Sequence, residues 1–122
     1  MATTNDKYRS MVEKIYNRTI NKKLSWVIDE IDGAVGFRLG DNLIELTKET
    51  IDGTPFAFIK IRSKDGALIE KFSDGNLDNG NRPSAGIFDS YYQLMVELRD
   101  IALRQARGAD DALDAILSEL DE

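Results

Sequence analysis

A chain of 122 residues, 42% hydrophobic and 31% charged, suits one globular domain and is too apolar for a disordered polymer. It contains no cysteine and no histidine, which removes disulfides, thiolate chemistry, imidazole acid/base catalysis and the usual zinc sites together. The net charge of −6 disfavours binding to phosphate backbones, yet it is unevenly spread. Before residue 24, Lys7, Arg9, Lys14, Arg18, Lys22 and Lys23 face only Asp6 and Glu13. From Gly108 onward, Asp110, Asp111, Asp114, Glu119, Asp121 and Glu122 meet no base.

The residues from Met1 to Asp6 are polar and lack the apolar core of a secretory signal. No apolar run approaches the roughly 20 residues that span a bilayer, so the sequence points to the cytoplasm and away from membranes. From Asp6 to about Asn21, Tyr8, Met11, Val12, Ile15, Tyr16 and Ile20 recur at three- and four-residue spacing, which predicts a helix with one apolar stripe. Asn5 or Thr4 would cap it, leaving residues 1–5 flexible, and its opposite face would hold Lys14 and Arg18 in water.

Glycines then punctuate a run of strands expected at 24–28, 34–39, 43–48, 56–62 and 67–72. Leu39-Gly40-Asp41-Asn42-Leu43 reads as a hairpin, with Ile44 and Leu46 inward and Glu45 and Thr47 outward. Ile59 and Ile61 share one face of the fourth strand, and Phe56, Phe58 and Lys60 share the other. Residues 73–86 are polar and rich in Gly, Asn and Asp, which predicts a flexible loop outside the core.

Ser90-Tyr91-Tyr92-Gln93 has the form of a capping box, and Leu94, Met95, Leu98, Ile101, Ala102 and Gln105 mark the buried stripe of the helix it opens. Gly108 suits the left-handed residue that ends that helix. Asp110 is expected to cap a tail helix over 109–122, with Leu113, Ile116, Leu117 and Leu120 on one face. The fold class is therefore α+β: an N-terminal helix, a five-stranded antiparallel meander and two C-terminal helices in a single domain, 1–122.

Three stretches carry a resemblance: Lys22-Lys23-Leu24-Ser25-Trp26 after the first helix, Leu39 to Leu46 in the sheet, and Ala102 to Leu117. Together they resemble a broad set of small bacterial proteins that share a K-L-x-W segment, a central β-meander and an A-x-x-Q-A-x-G-x-D-x-A-L-x-x-I-L helical tail. The resemblance implies a bacterial intracellular origin and this order of elements. The group has no established activity, so no functional residue is carried over.

Several clusters carry side chains capable of chemistry. Asp74-Gly75-Asn76-Leu77-Asp78 has the D-x-N-x-D start of a calcium loop, but Asn79 stands where that loop needs glycine and Ala85 where it needs glutamate. Asp29, Glu30 and Asp32 form an acidic turn with no partner base. Trp26 and the pair Tyr91-Tyr92 could stack on a ligand, although each lies beside a strongly periodic element that would pack it. The bases of the first helix are few for nucleic-acid recognition.

The sequence thus favours a non-enzymatic protein-interaction module with no catalytic residue, cofactor or metal. It would bind a partner protein or itself, as a homodimer, through Phe56 and Phe58 on the sheet and Leu113, Ile116, Leu117 and Leu120 on the tail helix. The acidic tail is expected to dock on basic residues of the head, within one chain or between two. The alternatives are a small-ligand or metal-dependent domain using Asp29, Asp32, Asp74 or Asp78, and a weak nucleic-acid binder using the first helix.

Overall fold

A computed structural model describes residues 3–29, 33–78, 80–84 and 87–121. The order is α1 (Thr4–Ile20), β1 (Val27–Ile28), β2 (Val35–Leu39), β3 (Asn42–Ile51), β4 (Thr54–Arg62), β5 (Leu68–Ser73), a 3-10 turn at Asp74–Asn76, α2 (Tyr91–Arg107) and α3 (Ala109–Leu120). The five strands form one antiparallel sheet in the order of the sequence, so the fold is α+β as expected. No helix among the described residues is long and apolar enough to cross a membrane.

α1 starts earlier than its apolar stripe. Thr3, rather than Asn5 or Thr4, is the cap: its hydroxyl accepts from the Asp6 amide while the Asp6 carboxylate accepts from the Thr3 amide, both at 3.1 Å. Residues 3–5 therefore belong to the helix start. At the other end Lys22 takes a left-handed conformation (φ 57°), which lets the Lys23 amide donate back to the Arg18 carbonyl at 2.8 Å.

The meander is built from tight turns. Gly40 (φ 63°) and Asp41 link Leu39 to its partner Asn42. Asp52 and Gly53 both have positive φ and join Ile51 to Thr54 in two residues, so β3 and β4 run further than the hydrophobic pattern suggests. Pro55 lies beyond the last β5 pairing, Phe58 with Ser73, where a missing ladder donor is tolerated. β1 is only two residues long, against an expected span from Leu24, and covers only Val35 and Gly36 of β2.

α1 and α2 pack on one face of the sheet, and the core lies between the layers. Val12, Ile15 and Tyr16 from α1 and Leu94, Met95, Leu98 and Ala102 from α2 close on Val35, Phe37, Ile44, Leu46, Ala57, Ile59 and Phe72. Ile20, expected in the stripe, is 47% exposed, and Thr19 is buried instead. The Thr19 hydroxyl donates to the Ile15 carbonyl and accepts from Trp26 Nε1 at 3.1 Å, while its carbonyl accepts from Gln105 of α2. A buried threonine thus ties α1, the segment before β1 and α2 together.

Residues 74–78 correct the expectation of an outlying loop. Leu77 is fully buried and Asp74 nearly so. Asp74 accepts from the Ala57 amide of β4 at 2.8 Å, and Asp78 accepts from the Tyr91 and Tyr92 amides at the start of α2. Pro83 is buried as well. Residues 79, 85 and 86 of that stretch, and residues 1 and 2 of the predicted flexible start, lie outside the described residues.

Candidate functional site

α3 begins where the sequence puts a helix but not with the cap it suggests. Gly108 (φ 67°) ends α2 by donating to Arg104 and Gln105 carbonyls, and the same residue is the N-cap of α3. Asp110 lies inside the first turn and pairs with Arg104 of α2 at 2.6 Å. From that junction α3 contacts α2, and its first turn lines a cavity with Lys22, Leu24 and Trp26.

No described residue of α3 is buried. Leu113 is 49% exposed, Ile116 55%, Leu117 56% and Leu120 73%, so the predicted apolar face is present and unpartnered. With about 100° between successive residues, Asp114 and Asp121 border one side of this stripe and Glu119 the other. The expected docking of acidic tail on basic head, within one chain, has no ion pair to carry it among the described residues, although Asp110 and Asp111 line one cavity with Lys22.

The sheet face turned away from the helices carries Phe56 and Phe58. Both are half-buried. Their ring centroids are 6.2 Å apart, Lys71 Nζ sits 4.4 Å above the Phe58 ring, and Phe56 packs beside Gly75. Ion pairs of Arg62 with Glu45 and Lys71 with Glu49 lie on the same face. The structure therefore separates the two predicted surfaces: the tail residues are open, the phenylalanines half-buried.

A third feature escaped the sequence reading. Between α1 and β2 a cavity of about 620 Å³ opens to solvent, with Met11, Ile15, Leu24, Phe37 and Leu39 as apolar lining and Lys7, Lys14 and Arg18 along its helical wall. Asp6 and Ser10 complete the lining. Asp6 is already engaged by the Thr3 cap, whose hydrogen bonds, with that of Arg9 at 2.8 Å, hold its carboxyl below the usual range. Lys7, Lys14 and Arg18 have no carboxylate within 4.0 Å among the described residues. The available signal was Lys7-Met11-Lys14-Arg18, a basic helical row interrupted by one apolar residue. The short β1, which leaves the end of β2 uncovered, gave no such signal.

The carboxylates proposed for metal or acid/base work are differently employed. Asp74 and Asp78 spend their oxygens on backbone amides, and burial pushes the Asp74 carboxyl up from its ordinary value, with Asp78 adding repulsion. Glu30 and Asp32 lie outside the described residues, and Asp29 is exposed. Among the described residues no group of three metal-ligating side chains comes together. Trp26 and Tyr91 are buried and present no stacking platform; Trp26 packs edge-on against Phe37 with centroids 4.7 Å apart.

No family model matches the chain, and neither a curated protein nor a solved structure matches it significantly.

Proposed function

We propose that this protein is a non-enzymatic interaction module that binds another protein, or a second copy of itself, with α3 as its docking element. The observation that carries this reading is the exposed row Leu113, Ile116, Leu117 and Leu120 on a helix that buries nothing in its own domain. A contiguous apolar stripe rimmed by charge is the form in which helices enter hydrophobic grooves on partners. The body supports α3 through Gly108 and the Arg104–Asp110 pair, so the stripe is presented rather than loosely attached. The half-covered Phe56 and Phe58 are a secondary surface in this reading.

The test compares wild type with Leu113→Asp/Leu117→Asp by light scattering after size exclusion and by affinity capture from the native host. Wild type is expected to form a complex, with itself or with a partner, that the variant loses while melting at the same temperature. A strict monomer that captures nothing dependent on these two leucines overturns the reading.

A further inference from the structure

We propose that the groove between α1 and β2 is the receptor for α3 of a second copy of the chain. This rests on the reading of α3 as a docking element and names its partner.

Charge decides between occupants. An α3–α3 pair would juxtapose two helices that carry only acids, which is a repulsive arrangement. The groove has the opposite character: an apolar floor that includes Met11, Phe37 and Leu39, beside Lys7, Lys14 and Arg18, which have no ion-pair partners among the described residues. Seating the leucine stripe on that floor brings Asp114 and Asp121, which border one side of it, to the basic wall. Dimensions agree as well. At 1.5 Å per residue the stripe from Leu113 to Leu120 is about 10 Å long, and the wall from Lys7 to Arg18 is about 16 Å long.

The chain's own tail does not fill the groove. The left-handed Gly108 cap and the Arg104–Asp110 pair start α3 in another direction, and no α3 residue lines the cavity. The contact is therefore tail to groove between copies, and reciprocal exchange of tails satisfies both halves within a dimer.

The decisive experiment uses four full-length proteins and sedimentation at concentrations up to millimolar. They are wild type, a groove variant Lys14→Glu/Arg18→Glu, a tail variant Asp114→Lys/Asp121→Lys, and the combination of all four changes. These side chains are all exposed, so thermal melts should coincide and confirm that each protein folds. Wild type is expected to self-associate, with each paired variant about tenfold weaker or worse. The combined charge swap should regain association, and an equal mixture of groove and tail variants should form mixed complexes through one reversed and one native charge set.

If the groove variant associates like wild type while Leu113→Asp/Leu117→Asp does not, the groove is not the receptor, although α3 remains the docking element. A wild-type chain that stays monomeric throughout also overturns the proposal, and capture of a host protein then decides separately whether α3 serves a different partner.

Discussion

At the level of single residues, Asp74 is the most instructive side chain. It is buried, it accepts from the Ala57 amide, and its folded form holds a proton to higher pH than an ordinary carboxyl because charge is costly there. A folded-state value raised above the unfolded one makes the folded protein the better proton binder between the two. Stability contributed by this group is therefore full at low pH and is lost as pH rises from about 3.8 through the raised value. Asp74→Asn keeps an oxygen for Ala57 and removes the ionisation, so the stability difference between it and wild type should widen in the variant's favour with rising pH. Asp74→Ala leaves the Ala57 amide unpaired and should cost about 1–3 kcal/mol at low pH, a cost that narrows as pH rises because this variant too escapes the ionisation. Urea unfolding of the three proteins across that range checks both outcomes.

Little of this was legible in the chain. An Asp-rich, glycine-containing stretch has the same composition whether it coordinates a cation, faces water or caps another element. Only the meeting of β4, the 3-10 turn and α2 decides that Asp74 serves Ala57 and that Asp78 serves Tyr91 and Tyr92. Thr19 hid in the same way: its place on the buried side of α1 depends on a hydrogen bond from Trp26, seven residues away and beyond the helix end.

At the level of elements, local chemistry was more informative. Ser90 opens α2 by accepting from the Gln93 amide at 3.1 Å, and Gln93 answers by accepting from Asp89, one residue further back than the expected box. Gly108 closes the helix in the left-handed form that its sequence position suggested. Both signals act within a few residues, so they survive without knowledge of the rest of the fold. The pairing of Ile44 and Leu46 with the core followed from strict alternation for the same reason. Strand lengths did not, because where β1 stops depends on what lies beside it.

Gly108 also carries a prediction at this scale. A Cβ there would meet nothing within 4 Å, so the cost of Gly108→Ala is conformational and not steric. Gly108→Ala should lower stability by about 1 kcal/mol. Because the residue joins α2 to α3, it should also disturb the direction of the tail and weaken any association that depends on it. Thermal melts and sedimentation of one protein measure the two effects together.

For the whole molecule, a two-layer body and a projecting tail imply two levels of protection. The core between sheet and helices includes Val12, Val35, Leu46, Ile59, Leu94 and Leu98, all without solvent contact, whereas α3 has no buried residue. Hydrogen exchange on dilute protein should therefore show α3 amides exchanging far faster than those of α1, α2, β3 and β4. Raising the concentration should slow α3 alone if the tail finds a receptor on another copy, and uniformly slow exchange in α3 at every concentration would contradict the exposed placement. The charge polarity of the sequence is thus a property of two separate bodies, a basic groove wall and an acidic projection.

The brevity of β1 reaches beyond the room it leaves for the groove. Its pairing stops at Gly36, so Phe37 to Leu39 lack a neighbouring strand on that side. An open strand edge is a template for unwanted sheet extension, and natural proteins guard such edges with charge, brevity or a covering element. Arg38 and the three-residue length are modest guards here, and a helix seated beside them would be a stronger one. Occupancy of the groove and resistance to aggregation are then linked: changes that empty the groove should leave the chain folded but less soluble.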